Sequence, residues 1–295
     1  MTVRGPAGGE IVNAMSVDVE DYFQVSAFDR VVSRAGWDGF ESRVVSNTQR
    51  VLDLFERAGV RSTFFVLGWV AERFPTLIRQ IAAAGHEIAS HGYHHQLLYT
   101  LTPAQFREDV RLSKAVLEQV SGSPVFGFRA PSYSIIESSL WALDILVEEG
   151  FVYDASIFPI HHDRYGIPNA ERHAHVLHRR SGILIEMPAS TVRLGRVNLP
   201  IAGGGYFRLL PYAWTRWGID RVNRLERKPV VFYFHPWELD PGQPRFAVGR
   251  ASRMRHYTGL GRTPDRLRRL LSEFQFTSVA AVLDFHATGA SARTA

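Results

Sequence analysis

The chain has 295 residues, 45% of them hydrophobic, so it is long enough for one large domain or two small ones, and disorder is not expected. Its formal charge of +5 is modest, and no basic stripe with interleaved aromatic side chains indicates a nucleic-acid partner. The absence of cysteine excludes disulfides, thiolate catalysis and zinc–thiolate sites. Any metal must therefore be held by His, Asp or Glu.

No apolar run near the start of the chain matches the core of a signal peptide, and no stretch approaches the roughly 20 apolar residues of a membrane span. The sequence therefore predicts a cytoplasmic protein without a transmembrane segment.

Strand-like apolar runs and amphipathic helices alternate through the first half of the chain. The best-marked helix follows Thr102, a natural N-cap, with Pro103 at its first position and Gln105 completing a capping box. In chain order, the predicted elements are a strand over 11–19, a helix over 48–58, a strand over 62–67, a helix over 75–84, a strand over 87–90 and the helix after Thr102.

The alternation continues in the second half. The predicted elements are a strand over 125–129, a helix over 138–149, strands over 151–154 and 183–187, a helix over 212–225, a strand over 230–235, a helix from 263 and a strand over 276–282. The stretch 161–180 is rich in His and Arg and is interpreted as a long loop over one mouth of the fold. Residues 241–263 are interpreted as a second irregular segment outside the regular strand–helix pattern, with a basic surface.

Repeated strand–helix alternation predicts an α/β fold with parallel strands and helices outside them. The chain is long enough for a (β/α) barrel, and its polar clusters follow strands, where such barrels carry their catalytic rim.

The first polar cluster follows the first predicted strand and contains Asp18, Glu20 and Asp21. Asp18 and Glu20 are two residues apart, so on a strand they face one side, while Asp21 should point the other way. Two carboxylates in one pocket repel each other, and a cation relieves that repulsion. A solvated acidic strand end explains the cluster equally well.

The second cluster contains His91, His94 and His95. His91 and His95 are four residues apart, which predicts that they lie together on a helical turn and can bind one ion. Imidazole ligands suit zinc and other late transition metals. The alternative is that these side chains only cap and hydrate a loop, but we favour a metal site.

Three further clusters end predicted strands, around Arg129, Asp154 and His235. Arg129 could hold a carboxylate in its ionised form, and Pro131 would stiffen the turn that follows. A histidine that ends an apolar strand, such as His235, can act as a general acid. Each of these clusters alone is better explained by a structural role.

Together, the five clusters resemble the motifs of polysaccharide deacetylases of carbohydrate esterase family 4, the NodB-homology domain. The resemblance spans roughly residues 14–237, with these matches in order: Asp18 and Glu20, His91 and His95, Arg129 and Pro131 with Tyr133 beyond, Asp154, and His235.

Two residues depart from that pattern. Most members have adjacent aspartates where this chain has Asp18 and Glu20, which resembles a subgroup of peptidoglycan deacetylase-like and allantoinase-like proteins, and Gly92 replaces the usual Ser or Thr. The strings at 19–23 and 158–165 resemble deacetylases found beside exopolysaccharide-export genes. Residues from about 199 onward would be that group's own C-terminal part.

The resemblance implies a distorted (β/α) barrel of about seven parallel strands, in a single domain over 1–295. It also implies these roles: Glu20, His91 and His95 bind the metal, most simply Zn²⁺ with Co²⁺ or Ni²⁺ as alternatives; Asp18 is the general base, held by Arg129; the Tyr133 N–H stabilises the oxyanion; and His235, tuned by Asp154, protonates the leaving amine. Asp21 in place of Glu20 as ligand stays open.

The implied activity is N-deacetylation of an N-acetylated glycan with release of acetate, and residues 161–165 are expected to line the substrate cleft. Two alternatives remain, an allantoinase-like hydrolysis of a cyclic amide or ureide and a non-catalytic glycan-binding module. Every motif retains a chemically competent residue, which argues against a decayed site.

Overall fold

A computed structural model describes residues 11–284. Most of the N-terminal segment that was predicted to lack a leader, and both ends of the expected 1–295 domain, lie outside the described residues. The strands are β1 (Asn13–Val19), β2 (Thr63–Val66), β3 (Glu87–Ser90), β4 (Gly127–Phe128), β5 (Tyr153–Asp154), β6 (His175–Arg179), β7 (Gly182–Glu186), β8 (Thr191–Leu194), β9 (Val197–Pro200), β10 (Val231–Phe234) and β11 (Phe276–Thr277).

The α-helices alternate with these strands, and most of them pack an apolar face against the sheet. They are α1 (Val44–Ala58), α2 (Gly68–Arg73), α3 (Pro75–Ala83), α4 (Pro103–Ser121), α5 (Ala142–Glu148), α6 (Gly204–Leu209), α7 (Tyr212–Arg221), α8 (Arg250–Tyr257), α9 (Thr263–Glu273) and α10 (Val279–Leu283). None of the helices within residues 11–284 is long and apolar enough to cross a membrane.

Seven strands pair in parallel in the order β10, β1, β2, β3, β4, β5, β7. β6 adds antiparallel beside β7, β11 pairs briefly with β1, and β8 and β9 form a separate hairpin. The predicted α/β class with mostly parallel strands is confirmed.

A side chain bridges the two ends of the parallel ladder. The Val231 N–H at the start of β10 donates to the Ser190 hydroxyl oxygen, just past β7, at 2.7 Å. One cluster of buried apolar side chains comes from several strands and from the residue after β7: Ala14, Phe65, Ala89, Tyr153, Val231 and Met187. A larger cluster packs the strands against the helices.

The register of the ladder brings the motif residues to one edge. Val17 pairs with Phe234, so Asp18 and His235 follow side by side on β1 and β10. Ser90 pairs with Phe128 in the same way, which places the residues after β3 and β4 together. Because parallel strands end at a common edge, distant parts of the sequence converge there.

Helix boundaries follow local capping groups. At α4 both capping-box bonds between Thr102 and Gln105 form, as predicted. Helix α1 begins at Val44, four residues earlier than predicted, because the Asp21 carboxylate accepts bonds from the N–H groups of Arg43 and Val44.

Two predictions about element type were wrong. The predicted loop over 161–180 contains β6, which forms a hairpin with β7. The predicted strand over 276–282 ends at Thr277, because Ser278 accepts a bond from the Ala281 N–H at 3.2 Å and caps α10. A serine side chain competes with strand pairing in this way at a helix N-terminus.

Candidate metal centre and active-site cleft

Three side chains that can bind a metal lie together at the carboxyl ends of β1 and β3. Glu20 follows β1, His91 and His95 follow β3, and all three are buried. Their ligand atoms lie within 4.8 Å of one another. Two imidazoles and one carboxylate form a donor set that suits zinc and other late transition metals.

The spacing of the two histidines had predicted that they share a helical turn, and this prediction was wrong. They lie in an irregular loop in which φ is +76° at Gly92 and +52° at His95. The Asp109 carboxylate on α4 holds this loop by accepting bonds from the N–H groups of the two residues after Gly92. A Cβ at position 92 would lie 2.9 Å from that carboxylate, which with the positive φ explains the glycine.

Protonation favours metal binding at this site. The Nδ1 of His91 lies 2.8 Å from the Arg129 carbonyl oxygen, so Nδ1 carries the proton and the Nε2 lone pair is free. Burial lowers the pKa of His91 to about 4, so its ring is neutral at pH 7. Burial alone would raise the pKa of Glu20, but the neighbouring histidines hold it well below its usual range.

Asp18 and Arg129 form a buried ion pair beside the ligands. One Nη of Arg129 donates to Asp18 Oδ1 at 2.6 Å and to the Ser16 hydroxyl at 2.9 Å. The guanidinium also lies over the Phe65 ring, 4.0 Å from its centroid, which fixes its plane. The other oxygen of Asp18, Oδ2, lies 3.9 Å from His235 Nε2.

His235 is paired with Glu238, which the sequence analysis missed, and the expected pairing with Asp154 is wrong. The Nδ1 of His235 lies 2.7 Å from Glu238 Oε1, while Arg208 Nε donates to Glu238 Oε2 at 2.5 Å. Burial alone would lower the pKa of His235, but the carboxylates of Glu20 and Glu238 raise it to about 9. Glu238 follows His235 by three residues, so the string His-Pro-Trp-Glu was an available signal.

Asp154 instead supports the turn that carries Arg129. Its Oδ1 accepts a bond from the Ser156 hydroxyl at 2.5 Å, and that hydroxyl oxygen accepts the Ala130 N–H at 2.7 Å. Asp154 also contacts the buried carboxyl group of Glu186 on β7. Burial raises the pKa of Glu186 well above its usual value, and the nearby Asp154 carboxylate raises it further. Two adjacent buried carboxyl groups share one proton in this way.

The structure does not leave the Tyr133 N–H free for an oxyanion. This N–H donates to the Ala130 carbonyl oxygen at 3.0 Å, inside a tight turn where Ser132 and Tyr133 have φ near +53°. The Tyr133 side chain is buried and lines the cleft above Arg129. Its expected backbone role is therefore not supported by this arrangement.

The carboxylate of Asp21 faces the N-terminus of α1 and not the histidines. It accepts bonds from the Ser42 hydroxyl at 2.5 Å and from the N–H groups of Arg43 and Val44. The Glu20 carboxylate lies beside His95, with Oε2 2.7 Å from the imidazole Nε2. This geometry favours Glu20 over Asp21 as the acidic ligand.

An open cleft leads from solvent to Asp18, Glu20, His95 and His235. Its wall includes His162, Arg164 and Tyr165 from the segment that was expected to line it. The rings of His162 and Tyr165 stack with their centroids 3.8 Å apart, and the Tyr165 hydroxyl bonds to that of Tyr206. The sequence analysis had not singled out Tyr206, Arg208 or Arg255, which complete the wall.

Comparisons with known families divide the chain into two matched parts. Residues 35–146 match the model of the polysaccharide deacetylase family, and residues 155–284 match a domain of unknown function (DUF3473). The first part contains His91, His95 and Arg129, the second contains His235 and Glu238, and Asp18 precedes both. Strands of both parts pair in one sheet.

Among similar proteins, a peptidoglycan-N-acetylglucosamine deacetylase of Bacillus cereus is 33% identical over 98 residues, which are 33% of this chain and 36% of that protein. The chain thus spans about a third of the length of the first curated relatives it matches.

Two solved structures share the fold. A protein of Mycobacterium smegmatis assigned as a polysaccharide deacetylase is 21% identical, with a TM-score of 0.64 and coverage of 98% and 96% of the two chains. Puue allantoinase is 16% identical, with a TM-score of 0.62 and coverage of 93% and 90%. Neither likeness extends beyond the fold.

Proposed function

We propose that this chain, whose residues 35–146 match the polysaccharide deacetylase family, is a metal-dependent hydrolase that removes N-acetyl groups from a glycan. The observation that carries the proposal is the convergence of Glu20, His91 and His95 with the Asp18–Arg129 pair at one cleft floor. We extend it to a polysaccharide made for export and to a single domain over residues 1–295.

The residues present fit a bound metal. The donor set is buried, and two of its polar atoms, Oε2 of Glu20 and Nδ1 of His95, receive no well-aligned hydrogen bond within the described residues. Buried polar atoms without partners destabilise a protein unless another group satisfies them. Zn²⁺ is the simplest occupant, with Co²⁺ or Ni²⁺ as alternatives of similar ligand preference.

When bound, the metal would act as a Lewis acid toward the acetamide carbonyl group. Asp18 is placed to accept the proton of the attacking water through Oδ2, because its Oδ1 is occupied by Arg129. The buried guanidinium pairs with the Asp18 carboxylate and fixes its orientation. The buried side chains of Tyr133 and Trp237 line the cleft above this floor.

His235 supplies the proton that the leaving amine needs. Its raised pKa keeps the ring protonated near neutral pH, and Glu238 holds Nδ1 so that Nε2 faces the cleft. Collapse of the tetrahedral intermediate breaks the C–N bond, the amine takes the proton from Nε2, and acetate leaves with the oxygen of the water. The products are acetate and a free amino sugar.

Acetate release from defined N-acetylated oligosaccharides tests the proposal. We expect turnover that a strong chelator abolishes and Zn²⁺ or Co²⁺ restores, and that Asp18→Asn lowers by about 10²–10⁴-fold without loss of metal. A metal-loaded protein that releases no acetate from any N-acetylated glycan would contradict it.

A further inference from the structure

Two arginines from separate segments line the cleft, and we call this pair the arginine rim. Arg164 lies between β5 and β6, and Arg255 lies on α8; both are exposed to solvent. Within the described residues neither guanidinium lies within 4.0 Å of a carboxylate, and the Arg164 contact is a 3.4 Å bond to the Ser26 carbonyl oxygen.

The segment that carries Arg255 is strongly basic. Residues 241–262 contain no Asp or Glu, and they contain these arginines: Arg245, Arg250, Arg253, Arg255 and Arg262. Such a run of like charge is unfavourable unless it serves solubility or an anionic partner.

The position of Arg255 is fixed relative to the catalytic groups. The buried Arg208 donates to the carbonyl oxygens of Arg255, His256 and Thr258 at 2.8 Å each, and so holds the C-terminal end of α8. The same guanidinium pairs with Glu238, the partner of His235. The backbone that carries Arg255 is therefore anchored to the reacting centre through one side chain.

The negative charges nearby do not neutralise the arginine rim. Asp18 and Glu238 each pair with a buried arginine, and Glu20 faces the metal ligands. Asp29 interacts electrostatically with Arg34 most strongly and with Arg164 more weakly, and Asp163 lies 3.0 Å from His162 Nδ1. The cleft mouth thus keeps positive charge.

A second groove continues the cleft along the same loop. It is bounded by residues 136–138 and 160–168, and it shares Tyr99, His162, Arg164 and Tyr165 with the cleft. Tyr99 is 38% exposed and lies where the two meet. A glycan that fills both would place a sugar next to the reacting one within reach of Arg164.

We infer that the substrate is an acidic glycan, in which an anionic group close to the N-acetylated sugar, a carboxylate or a phosphate, binds the arginine rim. The inference rests on the proposed function for the reacting sugar, but the anion contact itself does not depend on turnover. Guanidinium groups bind both oxyanions through paired N–H donors.

A matched substrate pair tests the inference. Oligosaccharides of alternating N-acetylglucosamine and glucuronic acid are compared with the same oligosaccharides after reduction of each carboxyl group to an alcohol. Binding is measured on metal-loaded Asp18→Asn protein and turnover on the wild type, while N-acetylglucosamine 1-phosphate against N-acetylglucosamine distinguishes phosphate from carboxylate.

We expect the Asp18→Asn protein, with both rim arginines intact, to bind at least one of the anionic ligands on the order of tenfold more tightly than its neutral partner. Arg164→Gln with Arg255→Gln, added to the same Asp18→Asn protein, should remove this preference, so that the anionic and neutral ligands bind with equal Kd. Arg57→Gln is the matched control, because Arg57 is exposed near the end of α1, at the opposite edge of the sheet.

The inference would be overturned if each anionic ligand had the same Kd as its own neutral partner. If the neutral oligosaccharide still released acetate in that case, the proposed function would stand. A Kd preference without acetate release from any glycan would support the anion site and contradict the proposed function. A third outcome would assign the surface to a membrane instead. The protein with both rim arginines would bind phosphatidylglycerol vesicles but show no preference between the oligosaccharides, and the double variant would lose the vesicle binding.

Discussion

His235 and Glu238 lie three residues apart, and their side chains form a partly buried pair in which Nδ1 of the imidazole is 2.7 Å from Oε1 of the carboxylate. Pro236 and the short 3₁₀ turn that follows bring the two together, and the Glu238 Oε1 also accepts the backbone N–H of His235 at 3.0 Å. The orientation of the imidazole is therefore fixed within one local turn. Two predictions concern the consequences for proton transfer.

Glu238→Gln should retain metal and lower kcat by about 10–100-fold, because the charge that stabilises protonated His235 is lost. Removal of that carboxylate lowers the pKa of His235, so the alkaline limb of the rate profile should move to lower pH. Glu226→Gln is the control, because it breaks an ion pair with Arg172 that does not contact His235, and it should leave the pH–rate profile unchanged. An unchanged alkaline limb in Glu238→Gln would assign the titration to another group.

His235→Ala should lose about 10²–10⁴-fold in turnover at unchanged metal content, as expected for a general acid. A structural histidine would instead lower the melting temperature and leave the activity per folded molecule unchanged. Turnover and thermal unfolding measured on one preparation distinguish these outcomes.

Glu20→Gln, His91→Ala and His95→Ala should each lower the bound metal measured by elemental analysis, because each removes one of the three ligands proposed within residues 11–284. Asp21→Asn should retain the metal, since its carboxylate bonds to the start of α1. Metal loss in Asp21→Asn together with full occupancy in Glu20→Gln would reverse the assignment.

Asp21→Asn should nevertheless destabilise the fold by about 1–2 kcal/mol, because it weakens charged hydrogen bonds at a helix N-terminus. Denaturant unfolding measures this, and Asp53→Asn within α1 is the control, since its carboxylate accepts a bond from Gln49 one turn earlier. Equal losses in the two variants would show that the capping contact adds nothing.

Glu186→Gln should become more stable relative to the wild type as pH rises. Burial raises the folded-state pKa of Glu186, so the stability contributed by its protonated form is complete below about 4.5 and is lost as pH rises through the higher folded-state value. Gln cannot ionise, keeps the acceptor for the Ile157 N–H, and can donate to Asp154. A stability difference that does not change between pH 5 and pH 9 would show that the two carboxyl groups share no proton.

The sequence predicted the edge of the sheet where the site lies, because apolar runs followed by polar residues report strand ends regardless of the loops between them. It also predicted that Glu20, His91 and His95 would come together. It did not predict how they come together. The helical turn inferred from the spacing of His91 and His95 is absent, and both Gly92 and His95 have positive φ in an irregular loop.

Partners set by tertiary contact were harder to predict. Asp154 and Glu238 are both acidic residues available to His235, and the choice depends on the turn after β10, which brings Glu238 to Nδ1 while Ser156 and Glu186 engage Asp154. The hairpin of β6 and β7 was missed because β6, with the sequence His-Val-Leu-His-Arg, shows no apolar run. Boundaries failed where a distant side chain acts as the cap, as Asp21 does for α1.

The pairing of β10 with β1 also determines when this protein can fold during synthesis. The Val230 N–H donates to the Asn13 side chain, 217 residues earlier in the chain, and β1 lies between β10 and β2. One edge of β1 therefore stays open on the ribosome until residues 231–234 have left the exit tunnel. Contacts over such separations fold slowly, and an open strand edge invites pairing with other chains. The nascent chain thus depends on protection of that edge until β10 has emerged, and only then can Asp18 meet His235.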